Sequence, residues 1–123
     1  MTRTRILLVE DDPDIAEAMV EILHDGGYDV VPARNGSEAL SKLESGPLPD
    51  LIFLDLMMPQ MDGAEFRHEQ LKSDRIKDIP VVLCSAVHNL AARAQALGVA
   101  AWLLKPTTPD KVLEAVQQFA ATV

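Results

Sequence analysis

A chain of 123 residues, 48% hydrophobic and 24% charged, is long enough to bury a core and ordinary in composition for one globular domain. Eleven Lys and Arg against 19 Asp and Glu give a net charge of −8, which argues against direct binding to nucleic acid or an anionic membrane and favours cations and basic partner surfaces. No apolar run approaches the ~20 residues of a membrane span, and Ile6 to Val9 behind Met1-Thr2-Arg3-Thr4-Arg5 is too short for a signal-peptide core, so a cytoplasmic protein is expected.

Ile6-Leu7-Leu8-Val9 is a short apolar run and reads as the first strand. It ends in Glu10-Asp11-Asp12-Pro13, where Asp12 and Pro13 suit the N-cap and first position of a helix. Ile15, Met19, Ile22 and Leu23 then follow helical spacing until Gly26-Gly27 stops it. Tyr28 to Ala33 is the second strand. Asn35-Gly36-Ser37-Glu38 reads as a capping box opening the second helix, whose apolar face is Ala39, Leu40 and Leu43. Gly46-Pro47-Leu48-Pro49 ends it.

Leu51-Ile52-Phe53-Leu54 runs straight into Asp55, followed by Leu56-Met57-Met58-Pro59 and Met61-Asp62-Gly63. The apolar run reads as a third strand, buried on both faces. Asp55 stands where that strand leaves the core, and a carboxylate there is costly to desolvate unless its charge is used. It is a poor helix cap, because Asp62 with Glu65 three residues on makes a better one. A third helix is expected from about Gly63 to Ser73, burying Phe66 and Leu71, with the weakest apolar pattern of the five. Val81-Val82-Leu83-Cys84-Ser85 is the fourth strand, and its single Cys84 reads as a buried thiol in a reducing compartment. Asn89 to Leu97 is an Ala-rich fourth helix stopped by Gly98. Ala100 to Leu104 is the fifth strand, ending at Lys105-Pro106, and Thr108-Pro109 opens a last helix with Val112, Leu113, Val116 and Phe119 inward. His24, His68 and His88 show no metal-ligand spacing.

Strands alternating with helices in this way imply an α/β, doubly wound parallel sheet covered on both faces and joined by right-handed crossovers. Ligands bind such sheets beyond the carboxyl ends of the strands. There the sequence places Glu10 and Asp11 after the first strand, Asp55 after the third, Ser85 at the end of the fourth and Lys105 after the fifth. If the first and third strands are neighbours, about 4.8 Å apart, three carboxylates converge. They repel one another unless a cation binds, and hard oxygen donors with open positions suit Mg²⁺. Lys105 adds a point charge and Ser85 a hydroxyl. Metal, ammonium and hydroxyl together suit a transferring phosphoryl group, with Asp55 as the nucleophile. Taken singly each feature is ordinary: Glu10-Asp11-Asp12 alone is a solvated loop and a cap. Agreement among four strand ends carries the reading.

These pieces resemble the receiver domain of two-component response regulators. The matching stretches are Leu7-Leu8-Val9-Glu10-Asp11-Asp12-Pro13, Leu54-Asp55-Leu56-Met57-Met58-Pro59 with Met61-Asp62-Gly63, Ser85-Ala86, and Lys105-Pro106. They come in the family's order and extend the resemblance over nearly all of residues 1–123, read as one receiver domain. The resemblance implies a flavodoxin-like strand order, 2-1-3-4-5, and Asp55 as the phosphorylated aspartate. It implies Asp11 and Asp55 as direct Mg²⁺ ligands, Glu10 as an acid holding the ion through water, and the Met57 backbone carbonyl as a further ligand. Asp12 falls on a position the metal does not require. Ser85 would hydrogen-bond the phosphoryl group, Lys105 would pair with it, and the Lys105–Pro106 bond would be cis.

The same resemblance implies a switch. Ser85 is drawn inward, and the aromatic residue three before the lysine, here Trp102, turns into the vacated space. An indole is bulkier than the usual Tyr or Phe, which opposes that turn. The output face would be the fourth helix, fifth strand and fifth helix. Met57 and Val87 occupy positions that tune dephosphorylation, and both are apolar, so attacking water should be hindered. The expected protein is a phosphoacceptor switch rather than an enzyme, though it assists its own phosphorylation and dephosphorylation. Its expected partners are a sensor histidine kinase or histidine phosphotransfer protein, and a downstream target or an output domain beyond this sequence. Neither nucleic-acid contact nor membrane insertion is expected, and Mg²⁺ is the only cofactor.

Other readings stay open at this point. A Mg²⁺-dependent phosphohydrolase of the haloacid dehalogenase type would use the spacing Asp12-Pro13-Asp14 and Lys105, but leaves Asp55 idle. A flavodoxin-like FMN binder needs a Ser/Thr/Gly-rich phosphate loop where the acids stand. A pseudo-receiver that only binds partners would not need Asp55, Ser85 and Lys105 together.

Overall fold

The computed structural model describes residues 3–120. Along the chain run β1 (Arg5–Val9), α1 (Pro13–Asp25), β2 (Asp29–Ala33), α2 (Gly36–Glu44), β3 (Leu51–Leu54), α3 (Gly63–Leu71), β4 (Val81–Ser85), α4 (Leu90–Leu97), β5 (Ala101–Leu104) and α5 (Pro109–Phe119). The strands form one parallel sheet in the order β2-β1-β3-β4-β5. The α/β doubly wound class and the strand order are those expected. Strand order reverses between β1 and β3, so a crevice opens beyond their carboxyl ends.

Alternation along the strands divides the core. Leu7, Val9, Ile52, Leu54, Val81 and Leu83 point to one face and pack with Ala39 and Leu43 of α2, Phe66 of α3, and Leu90 and Ala94 of α4. Ile6, Leu8, Leu51, Phe53 and Val82 point to the other, where Met19 and Leu23 of α1 and Val112 and Val116 of α5 cover them. β5 is an edge strand with one covered face. Ala101 and Leu103 pack toward α5, while Trp102 and Leu104 stand on the opposite side, 48% and 57% exposed.

Helix starts follow local chemistry. Asp12 accepts from the N–H groups of Asp14 and Ile15, with Pro13 at the first helical position of α1. Asp62 and Glu65 form a reciprocal capping box at α3. Thr108 accepts from Lys111 N–H at α5. Two expectations need correction. The box expected at α2 is half formed: Asn35 accepts from Glu38 N–H, but the Glu38 carboxylate turns to Arg34 and Lys42 instead. In α3 Leu71 is 48% exposed, and the buried positions beside Phe66 are Arg67 and Gln70. With two polar residues facing inward, this helix has no apolar stripe to read, and its last regular residue is Leu71 rather than Ser73.

Candidate functional site

Residues just past β1, β3 and β5 meet in the crevice. Glu10 N–H donates to the Ala33 carbonyl and Asp55 N–H to the Val9 carbonyl, so both acids sit one residue past their strands with their backbones still paired. Lys105 N–H donates to the Ser85 carbonyl, which fixes the end of β5 against the end of β4. Carboxylate oxygens of Glu10, Asp11 and Asp55 lie within 4.8 Å of one another, making the one metal-competent cluster of His, Cys, Asp or Glu among the described residues. Glu10 and Asp55 are buried, while Asp11 lies nearer the surface.

Lys105 reaches across from β5. Its ammonium donates to Asp55 Oδ2 at 2.9 Å and also to Glu10 Oε1. The Met57 N–H donates to Asp55 Oδ1 at 3.1 Å, so each oxygen of Asp55 holds one donor. Burial pushes the Glu10 carboxyl above its ordinary range, and the nearby Asp55 charge adds to this against the opposing hydrogen bond from Lys105. Burial works to lower the Lys105 pKa, but its hydrogen bonds to Glu10 and Asp55 outweigh this and raise it. Three carboxylates against one ammonium leave two negative charges uncompensated, the deficit a divalent cation matches. All three acids are hard oxygen donors, so the donor set fits Mg²⁺.

Ser85 is fully buried, and its Oγ has no hydrogen-bond partner among the described residues. An orphaned buried hydroxyl is costly and calls for an explanation. Asp12 points away to cap α1, and only its N–H touches the cluster, donating to Glu10 Oε2 at 3.2 Å. The Lys105–Pro106 bond is cis, as expected. The Met57 side chain is 64% exposed beside the site, Val87 is partly buried, and Trp102 lies exposed on β5.

Sequence reasoning passed over some residues here. Gly63 packs directly on the Asp55 backbone: a Cβ there would stand 2.3 Å from the Asp55 carbonyl oxygen and 2.8 Å from Leu56 Cα. Glycine stands there because two backbones approach too closely for any side chain. Gln60 takes φ 62° in the loop before it, and Asn35 Nδ2 donates to its Oε1 at 3.1 Å. Thr107, two residues past Lys105, has a second buried hydroxyl without a partner among the described residues, and no motif marked it.

A model of the response regulator receiver domain family matches residues 6–117. The chain belongs to that family. Receiver domains are signal switches of two-component systems, and this membership decides against the phosphohydrolase and flavodoxin readings. The receiver is 38% identical to response regulator Rre1 of Synechocystis over 90% of its own length and 48% of that protein. It spans about half the length of the first curated relatives it matches. Among solved structures it is similar to chemotaxis protein CheY4 of Vibrio cholerae, with 29% identity, a TM-score of 0.87 and coverage of 96% and 99% of the two chains. It is also similar to response regulator TrrA of Thermotoga maritima, solved in complex with Mg²⁺ and BeF, with 34% identity, a TM-score of 0.84 and coverage of 94% and 98%. No helix among the described residues of the receiver is long and apolar enough to cross a membrane.

Proposed function

We propose that this receiver accepts a phosphoryl group on Asp55 from a phosphohistidine of a sensor kinase or histidine phosphotransfer protein. The carrying observation is the convergence of Glu10, Asp11 and Asp55 with the Lys105 ammonium in one crevice, next to the end of β4 where Ser85 stands. A carboxylate oxygen of Asp55 attacks phosphorus. The new P–O bond forms as the donor's P–N bond breaks, and the departing imidazole takes up a proton from solvent. Asp11 and Asp55 would hold Mg²⁺ directly, with Glu10 through water and the Met57 carbonyl as a further ligand. The ion supplies neutralising charge for the phosphoryl oxygens. Lys105 stays beside Asp55 and offers its ammonium to a phosphoryl oxygen, and Ser85 donates its hydroxyl to another. Apolar Met57 and Val87 shield the acyl phosphate from attacking water. Drawing Ser85 toward phosphorus displaces the start of the β4–α4 segment and alters the face of α4, β5 and α5, the surface offered to a downstream target. The likeness to a receiver solved with Mg²⁺ and BeF supports both the ion and the acceptor. A cytoplasmic setting accords with a phosphohistidine donor.

The test is phosphorylation by a small-molecule donor, acetyl phosphate, read as a mobility shift on a phosphate-affinity gel. A shifted band is expected with Mg²⁺ and none after chelation or in Asp55→Asn. A band of equal strength in Asp55→Asn would overturn the assignment.

A further inference from the structure

α4 is held very differently at its two ends. At the C-terminal end Gly98 takes φ 66°, a left-handed conformation that glycine adopts without steric cost. Its N–H and that of Val99 return to the carbonyls of Gln95 and Ala94. The carbonyls of Leu97 and Gly98 accept from Arg67 Nε at 3.1 Å and Nη2 at 2.9 Å. Arg67 Nη1 donates to Gln70 Oε1 at 2.8 Å, and Gln70 Nε2 donates to the Ile76 and Ile79 carbonyls at 2.9 and 3.0 Å. Arg67 and Gln70 are 7% and 0% exposed. No carboxylate pairs with Arg67 among the described residues. Its charge is solvated by the carbonyl oxygens at the negative end of the α4 dipole and by Gln70. Removing the guanidinium therefore strands several polar groups at once.

The N-terminal end has none of this. Asn89, at φ −106° and ψ 37°, makes no side-chain cap, whereas Asp12, Asn35, Asp62 and Thr108 all cap their helices. Four residues, 86–89, join this uncapped turn to Ser85, whose hydroxyl is itself unpartnered. The end of α4 next to the crevice is the weakly held one.

We propose that Arg67, braced by Gln70, is the fixed pivot of α4: a change at Ser85 is taken up by residues 86–93, while residues 94–99 stay locked to α3. The stimulus at Ser85 rests on the phosphoacceptor reading above, whereas the anchor itself does not. Amide hydrogen exchange on the full chain, with and without Mg²⁺ and beryllofluoride, an acyl-phosphate mimic, tests both. In the unsubstituted protein beryllofluoride should change protection of residues 86–93 by about fivefold or more and of 94–99 by less than about twofold. In Arg67→Met, which keeps the packed stem and loses every donor, protection of 94–99 should fall by about tenfold or more without any ligand. Arg67→Lys keeps the charge but not the planar fork and should lose most of it too. Residues 94–99 as protected as before in both variants, or a beryllofluoride response spread evenly over 86–99 in the unsubstituted protein, would overturn the pivot. Should the variants not fold, the unsubstituted protein decides alone. If beryllofluoride does not bind, the phosphoacceptor reading fails, and the ligand-free variants still decide the anchor.

Discussion

At the scale of single residues, neighbouring acids separate by what their oxygens already hold. Asp12 spends its carboxylate on the first turn of α1, whereas Asp11 presents its own to Glu10 and Asp55. Asp11→Asn should therefore weaken Mg²⁺ binding by at least about tenfold in a titration, because the site loses one ligand charge. Asp12→Asn should bind within about twofold of the parent, since Asn caps helices equally well. An equal loss in both would contradict the division. Cys84, behind Ser85, differs again. Burial pushes its pKa up to about 11, so the thiol is neutral at pH 8 and the nucleophilic thiolate is scarce. A disulfide reagent at about pH 8 should leave the native protein unmodified and react once it is denatured. The strand-end residues were legible because Glu10, Asp55, Ser85 and Lys105 each directly follow an apolar run, with Asp11 next to Glu10. Arg67, Gln60 and Thr107 were not, since nothing local tells an inward polar side chain from an outward one.

Elements follow their caps and their apolar periods, and they fail where those fail. Asp12-Pro13, Asp62 with Glu65, and Thr108-Pro109 marked helix starts that the structure keeps. α3 misled because its inward face mixes Phe66 with Arg67 and Gln70, so that Leu71 looked like core and lies exposed. The start of α3 is also where an element touches the chemistry. Gly63→Ala would set a Cβ against the Asp55 and Leu56 backbones, neither of which can swing aside as a side-chain tip can. Chemical denaturation should show a loss of about 1–3 kcal/mol, with a lower yield of phosphorylation as Asp55 is displaced. Unchanged stability would mean the β3–α3 junction yields more readily than its packing indicates. Phe53→Ala, at a residue with no exposed surface, should cost more, about 3–5 kcal/mol by the same measurement.

The whole molecule is a sheet whose reversal between β1 and β3 sets acids from two strands side by side, with β5 adding an ammonium. The strand order came from the family resemblance, because alternation alone leaves it open. Trp102 sits on the far strand of that sheet, 48% exposed, where a change in α4 and β5 alters its surroundings. Beryllofluoride with Mg²⁺ should change its fluorescence, and Asp55→Asn should abolish the change; an unaltered spectrum in the unsubstituted protein would separate the acceptor site from the switch. The central claim, that Asp55 becomes the acyl phosphate, is tested most directly by borohydride reduction after incubation with acetyl phosphate and Mg²⁺. This converts a phosphorylated aspartate to homoserine, which peptide mass spectrometry then locates. Homoserine at position 55 alone is the predicted result. Homoserine at position 11 or 12, or at no position in a protein that binds Mg²⁺, would contradict it.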